Sequence, residues 1–143
     1  MEGFSDELYE HDKRNMKSLI HDVPIKISEA YNASSVVISS EVKEIVIAGV
    51  GVAGFCADVL VRYLGNRVLG DNLIPVSTCH GYNFSHELRK ETLVILLALN
   101  DEEEMLSCLK YARFSDAQLV VITSGGKFEV LEKEAHFPLL RIP

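Results

Sequence analysis

The sequence predicts an α/β fold, a three-layer αβα sandwich around a five-stranded parallel sheet. From residue 44 onward, short apolar runs rich in β-branched residues alternate with helical patterns. These runs are apolar at successive positions, as expected for strands that helices cover on both faces. The 143 residues suffice for one hydrophobic core and are too few to expect two. We therefore predict a single domain, with residues 1–43 as a helical extension packed on an α/β domain of residues 44–143.

The extension is predicted to contain helices. Ser5 is a candidate N-cap for a first amphipathic helix, and the stretch HDVP at 21–24 is expected to end that helix. Apolar residues recur at helical spacing between 25 and 40, although the β-branched VVISS within this range could equally be extended. The apolar positions of the first helix are Leu8, Met16, Leu19 and Ile20.

The α/β domain is predicted from five strand and helix patterns. Right-handed crossovers through the helices would make every strand parallel to its neighbours. The predicted strands are EIVIAG (44–49), NLIPVST (72–78), TLVILLAL (92–99), AQLVVITS (117–124) and PLLRI (138–142). The predicted helical segments are 52–64, a short segment near 84–90, 101–113 and 127–135.

Ligands of such sheets bind at the carboxyl ends of the strands, near the point where the strand order reverses. This rule selects four turns, Gly49–Gly51, Ser77–Tyr82, Leu99–Glu102 and Thr123–Gly126. Any site for a small molecule is expected to be built from them.

The first turn carries Gly49, Gly51 and Gly54 in the spacing G-x-G-x-x-G, at a strand-to-helix junction. Such a turn lets backbone N–H groups and the helix dipole approach an anion. The glycines could equally serve only a tight turn and close packing of the helix on the sheet. A dinucleotide site would also need an acid at the end of the second strand, and NLIPVSTCH ends without one.

The helix predicted after this turn, 52–64, is apolar on nearly every face except at Asp58 and Arg62. Such a helix is expected to be deeply buried or to lie in a subunit interface.

The turn after the third strand is acidic. Asn100 is a candidate N-cap with Glu103 at the capping-box position, so the acids would complement the dipole of their own helix. A phosphate nearby would meet several like charges, each costing on the order of 1 to 4 kcal/mol. Asp101 and Glu104 could instead bind a divalent cation, but a solvated helix start is favoured and no metal is expected.

Two further turns carry polar side chains. Cys79 and His80 end the second strand but lack the second pair that zinc requires, so a partly buried loop pair is expected. Thr123 to Gly126 provide hydroxyls and free backbone donors after the fourth strand, which is also an ordinary loop composition.

Charge and composition exclude several classes of function. The net charge of −7 without a run of Lys or Arg argues against nucleic acid or a membrane surface as partner. The N-terminus has acids where a signal peptide needs bases, and no segment approaches the roughly 20 apolar residues of a membrane span. Three widely spaced cysteines fit reduced thiols. A cytoplasmic location and no cofactor are therefore predicted.

Three blocks of sequence resemble one family. VIAGVGVAGFCADVL (46–60) is similar to the first strand, turn and helix of archaeal-type bifunctional phosphoglucose/phosphomannose isomerases, which belong to the sugar isomerase (SIS) domain superfamily and typically have G-M-G-G-S-G-x-x-A-D there. LVVITSGGKFEVL (119–131) resembles their fourth strand and its I-T-x-G-G turn, and LKYAR (109–113) the end of their third helix. The resemblance covers about 44–143. It implies a flavodoxin-like sheet that binds phosphosugars and pairs as a dimer or with another SIS chain.

The chain departs from this family at the positions that bind phosphate. The family's loop S-Y-S-G-N-T falls at 97–102, which reads LALNDE and has no hydroxyl. Ala53 replaces the serine of the first loop. The family's catalytic acid, histidine and lysine come from later chain and from a second SIS domain, so no catalytic residue is assigned here.

Three functions remain open at this point. The first is a non-catalytic SIS module that binds a carbohydrate derivative or pairs with another subunit. The second is a phosphosugar isomerase completed by a partner chain, with a base among Glu102, Glu103 and Glu104. The third is a Rossmann-like nucleotide-binding domain. The predicted ligand-binding residues are Gly49, Gly51, Ala53, Gly54, Asn100, Asp101, Glu102, Thr123, Ser124 and Gly125.

Overall fold

A computed structural model describes residues 12–33, 38, 41–65 and 74–142. The chain divides into two compact units, residues 1–35 and 36–143. The predicted packing of the N-terminal extension on the α/β domain stays a prediction.

The first unit contains helix α1, Met16–Ala33. The carboxylate of Asp12 accepts the backbone N–H groups of Met16 and Lys17 at 2.8 and 2.9 Å, which satisfies two donors of the first turn. The predicted break at HDVP is wrong, because Pro24 lies inside α1. The apolar positions keep one helical phase on both sides of this proline, so its missing N–H costs one hydrogen bond without ending the helix. Ser5 and most of VVISS lie outside the described residues.

The second unit contains the predicted parallel sheet, and the fold class is confirmed. The strand order is β2-β1-β3-β4-β5, every neighbouring pair is parallel, and the order reverses between β1 and β3. This is the flavodoxin-like arrangement, whose ligand edge lies at that reversal. The strands are β1 Glu44–Gly49, β2 Val76–Cys79, β3 Thr92–Ala98, β4 Gln118–Thr123 and β5 Leu139–Arg141.

Helices cover both faces of the sheet. The helices of this unit are α2 Gly51–Gly65, α3 Glu103–Phe114 and α4 Lys127–Ala135. Ile47 of β1 points towards α2 and packs with Ala53 and Ala57. Its neighbours in the strand point to the opposite face, into a larger core formed with α3 and α4. Alternate residues of one strand therefore hold the two helical layers.

The segment 84–90 is not helical, contrary to the prediction. Its two apolar residues, Phe84 and Leu88, are buried in the larger core, and Phe84 contacts the ring of Tyr111 at a centroid distance of 5.7 Å. Their spacing of four residues resembles one face of a helix. An irregular segment that buries two anchors produces the same pattern.

The outward face of α2 is exposed, so the predicted deep burial of this helix is wrong within the described residues. Val52 is 72% exposed and Phe55 is 68% exposed. The same stripe continues with Cys56, Val59, Leu60 and Tyr63. The alternative expectation, a subunit interface, stays a prediction.

No helix in the described part of the chain combines the length and apolar character needed to cross a membrane.

Candidate functional site

The carboxyl edge of the sheet brings the four predicted turns together. Parallel pairing aligns Gly49 with Leu97 and Ala98 with Thr123, so the ends of β1, β3 and β4 lie side by side. The end of β2 joins them, because Cys79 pairs with Ala48. The turns that follow these strands therefore form one continuous rim.

The glycines of the first turn are explained by close packing. A Cβ at Gly49 would approach the carbonyl group of Ala53 to 2.9 Å, and a Cβ at Gly54 would approach the carbonyl oxygen of Gly49 to 2.8 Å. Gly51 adopts φ +57°, and a Cβ there would meet nothing within 4 Å. Two glycines therefore serve packing, while the third leaves open space at the start of α2.

His80 fills the other side of this turn, a role that the sequence did not reveal. Its Nδ1–H donates to the carbonyl oxygen of Gly49 at 2.9 Å, and its Nε2–H donates to the Asp58 carboxylate at 2.9 Å. Both partners only accept, so both ring nitrogens carry hydrogen. The bond to Gly49 and then the bond to Asp58 raise the pKa of His80. The imidazole ring thus ties β2 to the first turn and to α2, and these contacts favour its protonated form.

The start of α2 exposes backbone donors to the rim. The first N–H groups of a helix have no partner within the helix, and Gly51 and Val52 are exposed. Ala53 is one of the predicted ligand-binding residues. It is only 2% exposed and packs against the sheet in the core with Ile47 and Leu97. Its side chain therefore faces the sheet and not the solvent.

In the third turn, carboxylates accept the polar hydrogens of neighbouring residues. The N-cap of α3 is not the predicted Asn100. Helix α3 begins at Glu103 with Glu102 at the N-cap position, and no side chain caps it. Asn100 instead donates its backbone N–H and its side-chain amide to the Glu102 carboxylate at 3.2 and 3.1 Å. Asn100 and Glu102 satisfy each other within the turn.

Asp101 reaches across the rim to α4. Its Oδ1 accepts the backbone N–H of Lys127, the first residue of α4, at 2.7 Å. Gly126, the N-cap of α4, carries no side chain and adopts φ +80° beside this carboxylate. The anion position at the start of α4 is thus occupied by a carboxylate of the same chain.

The fourth turn uses its hydroxyls internally. Thr123 is fully buried, and its Oγ1 donates to the carbonyl oxygen of Gly125 at 2.9 Å and accepts the N–H of Gly125 at 3.1 Å. Ser124 donates its hydroxyl to the carbonyl oxygen of Leu99 at 2.5 Å. These contacts fix the turn and join it to the end of β3. Of the two hydroxyl-bearing residues, Ser124 is exposed at the rim.

The electrostatics of the rim are acidic. The negative charge of Glu104, with a smaller contribution from Glu103, raises the pKa of the Tyr82 phenol. Arg141 is engaged by Glu129 at 3.1 Å. Carboxylates at such an edge accept hydrogen bonds from neutral hydroxyl groups and repel a phosphate.

Cofactor and metal sites find little support in the described residues. No group of three or more His, Cys, Asp and Glu side chains there could hold a metal ion. The residue after β2 is His80, where a dinucleotide site would require an acid for the ribose hydroxyls.

Fold and rim together define a flavodoxin-like α/β domain, whose predicted ligand edge is formed by the turns after β1, β2, β3 and β4. The chain is similar to a bifunctional phosphoglucose/phosphomannose isomerase from Caldicellulosiruptor bescii, with 28% identity over 129 residues. The aligned region is 87% of this chain and 37% of that protein, so the chain spans little more than a third of the length of this curated relative. No family model matches the chain. The sequence is therefore sugar isomerase-like.

Proposed function

We propose that this chain is an SIS-type domain that binds a carbohydrate derivative at the carboxyl edge of its sheet and selects the hydroxyl groups of the sugar over a phosphate. The proposal combines the isomerase-like sequence, the ligand edge at the strand reversal and the acidic rim. The observation that carries it is the hydrogen bond from the N–H of Lys127 to Asp101.

This bond removes a donor that a phosphate would need. In the resembled family, the turn after the third strand has hydroxyl and amide side chains. Here Asp101 takes the first N–H of α4, and Glu102 takes the backbone and side-chain donors of Asn100. A phosphate entering this turn would have to displace two carboxylates and would still lie beside their charge.

The rest of the rim suits a neutral ligand. The exposed N–H groups at the start of α2 can donate to sugar oxygens, and the exposed carboxylate of Glu103 can accept from sugar hydroxyls. Gly51 leaves space beside these groups, because no atom lies within 4 Å of the position a Cβ would take.

Thermal unfolding with paired ligands tests the proposal. Glucose, fructose, mannose and glucosamine are each compared with their own 6-phosphates at equal concentration. A ligand at 100 times its dissociation constant adds about 2.7 kcal/mol of stability. We expect at least one unphosphorylated sugar to raise the melting temperature more than its phosphate does. Stabilisation only by the phosphates, or by no carbohydrate at all, would overturn the proposal.

A double variant tests the part assigned to the third turn. Asp101→Asn with Glu102→Thr restores the N-T of the family's loop and removes two negative charges. The matched control, Glu103→Gln with Glu104→Gln, removes the same charge from the neighbouring first turn of α3. We expect the first variant to bind 6-phosphates at least tenfold more tightly than the control. Equal affinities would mean that the overall charge of this edge, and not the two carboxylates of the third turn in particular, excludes phosphate.

A further inference from the structure

Two cysteine thiols meet below the rim. The Sγ atoms of Cys79, the last residue of β2, and Cys108, in α3, are 4.0 Å apart. Cys108 is fully buried and Cys79 is 8% exposed. The third cysteine, Cys56, lies on the exposed face of α2. The pair is therefore separate from the only other thiol of the chain.

The two thiols hold the loop that covers them. While both are protonated, Cys108 donates its S–H to the carbonyl oxygen of Gly81 at 3.2 Å, and Cys79 donates to the carbonyl oxygen of Asn83 at 3.3 Å. Tyr82 and Asn83 are exposed. The loop above the sulfurs therefore lies at the surface, and Cys79, which is 8% exposed, is the sulfur nearer to solvent.

The surroundings distinguish the two sulfurs. The contact with the Cys108 thiol lowers the pKa of Cys79, and the neighbouring His80 acts in the same direction. The contact with Cys79 and burial raise the pKa of Cys108. Cys79 is thus the more readily ionised of the two thiols, as an attacking thiol must be, and Cys108 is the thiol that keeps its proton, as a resolving thiol can.

A metal is a poorer explanation of the same geometry. A zinc site needs a third and fourth ligand near the sulfurs. His80 is the neighbouring candidate, but both of its nitrogens are hydrogen-bonded, to Gly49 and to Asp58.

We propose that Cys79 and Cys108 are a reversible oxidation site, in which a hydroperoxide converts the two thiols into a disulfide. The Cys79 thiolate attacks the outer oxygen of the hydroperoxide, the O–O bond breaks, and the products are a sulfenic acid at Cys79 and an alkoxide or hydroxide that takes up a proton. The Cys108 sulfur then attacks the sulfenic sulfur, the S–O bond breaks, and the proton of Cys108 leaves with the oxygen as water. A dithiol reductant returns both residues to thiols.

The disulfide would change the loop that forms part of the rim. The two sulfur atoms have to approach from 4.0 Å to about 2.0 Å. Neither sulfur carries a hydrogen in the disulfide, so the carbonyl groups of Gly81 and Asn83 lose the partners that they have in the protonated pair. His80 directly precedes this loop and contacts the first turn. Oxidation is therefore expected to alter ligand binding at the rim as well as the thiols.

Mass spectrometry of the full chain tests the proposal. Wild type and Cys56→Ala are treated with hydrogen peroxide, denatured and labelled with a maleimide. The Cys56→Ala variant keeps both buried thiols and removes intermolecular pairing through α2. We expect its mass to fall by about 2 Da, for the two hydrogens lost, with no maleimide bound. Dithiothreitol should then restore two labelled sites, and proteolysis should yield a cross-linked peptide containing Cys79 and Cys108.

The other outcomes oppose the proposal. Two labelled thiols after peroxide treatment would show that the pair does not react. A gain of oxygen atoms without a cross-link would show that Cys79 oxidises and Cys108 does not resolve it. Cys108→Ala is a second variant, in which the sulfenic acid should persist and be captured by dimedone. Because the main test uses a variant that leaves the buried pair intact, it does not depend on whether Cys108→Ala folds.

Discussion

Asp101 and Lys127 are joined across the carboxyl edge of the sheet, where Oδ1 of the aspartate accepts the backbone N–H of the lysine at 2.7 Å. The turn after β3 thereby caps the helix that follows β4. The contact joins residues 26 positions apart in the sequence, whereas α3 itself has no side-chain cap. The carboxylate of Asp101 thus both stabilises the first turn of α4 and contributes negative charge to the rim.

Removal of this cap is expected to destabilise the domain. Asp101→Ala should lower the free energy of unfolding by about 1 kcal/mol, the usual cost of losing an N-terminal cap. Asp101→Asn should cost less, because the amide oxygen can still accept the bond. Urea unfolding measures both, with Glu103→Gln as the control for charge at the same edge. Equal stability of wild type and Asp101→Ala would contradict the capping role.

The link between His80 and Asp58 should make stability depend on pH. The folded protein raises the pKa of His80, so the protonated ring contributes stability below the unfolded pKa of about 6.5. This contribution is lost as the pH rises through the higher folded value. The melting temperature of wild type should therefore exceed that of Asp58→Ala most at about pH 6 and least at about pH 9.

The matched control is Asp58→Ala made in a His80→Gln background, which lacks the titrating ring. In that background the effect of Asp58→Ala on the melting temperature should show no comparable trend across the same range. If the difference in melting temperature between wild type and Asp58→Ala stays constant with pH, the charge of His80 does not contribute to stability.

A methyl group at Gly54 is expected to disturb the first turn. The added Cβ would lie 2.8 Å from the carbonyl oxygen of Gly49 and 2.9 Å from Nδ1 of His80. Gly54→Ala should therefore cost about 1 to 3 kcal/mol, as other overpacked sites do. Gly81→Ala is the matched control, since a Cβ there meets nothing within 4 Å. Similar unfolding free energies for the two variants would show that the turn relaxes freely.

The exposed face of α2 is expected to mediate self-association. Phe55 and Val59 are 68% and 49% exposed, and they lie on one stripe of the helix. We expect the wild type to be a dimer at micromolar concentration. Phe55→Ser with Val59→Ser should weaken the dimer by roughly 100-fold or more. Burial of each apolar side chain in the interface is expected to contribute about 1.5 kcal/mol or more to the free energy of association.

Sedimentation equilibrium measures this association. Phe114→Ser is the control, because Phe114 is 93% exposed at the end of α3 and lies away from the stripe. A monomeric wild-type protein at micromolar concentration would contradict the prediction. Loss of the dimer in the control as well would point to a different interface.

Local patterns in the sequence were sufficient for the sheet and its helices. The apolar runs predicted all five described strands. They are nearly continuous in the central strands β1, β3 and β4, which are largely buried between the helices. Two local patterns misled. Pro24 lies inside a helix, and Phe84 and Leu88 have helical spacing in a segment without a helix. In both cases the pattern shows which residues are apolar, but it does not determine the backbone conformation between them.

The candidate site was predicted at the level of turns and not of contacts. The turns at the carboxyl edge follow from topology alone. The bonds of His80 to Gly49 and Asp58 join positions 31 and 22 residues apart, and no periodic pattern encodes them. The motif G-x-G-x-x-G likewise gave no sign that its third glycine faces a histidine ring.

The imidazole of His80 occupies the place that a side chain at 54 would take. The His80 ring thus fills space beside position 54, and the glycine at 54 leaves that space to the ring. A smaller residue at 80 would relieve only one of the two contacts of an enlarged residue at 54, because the carbonyl oxygen of Gly49 lies 2.8 Å from the same Cβ position. A side chain at 54 therefore needs both a smaller residue at 80 and a shifted backbone in the first turn, so position 54 is expected to tolerate substitution less readily than position 80.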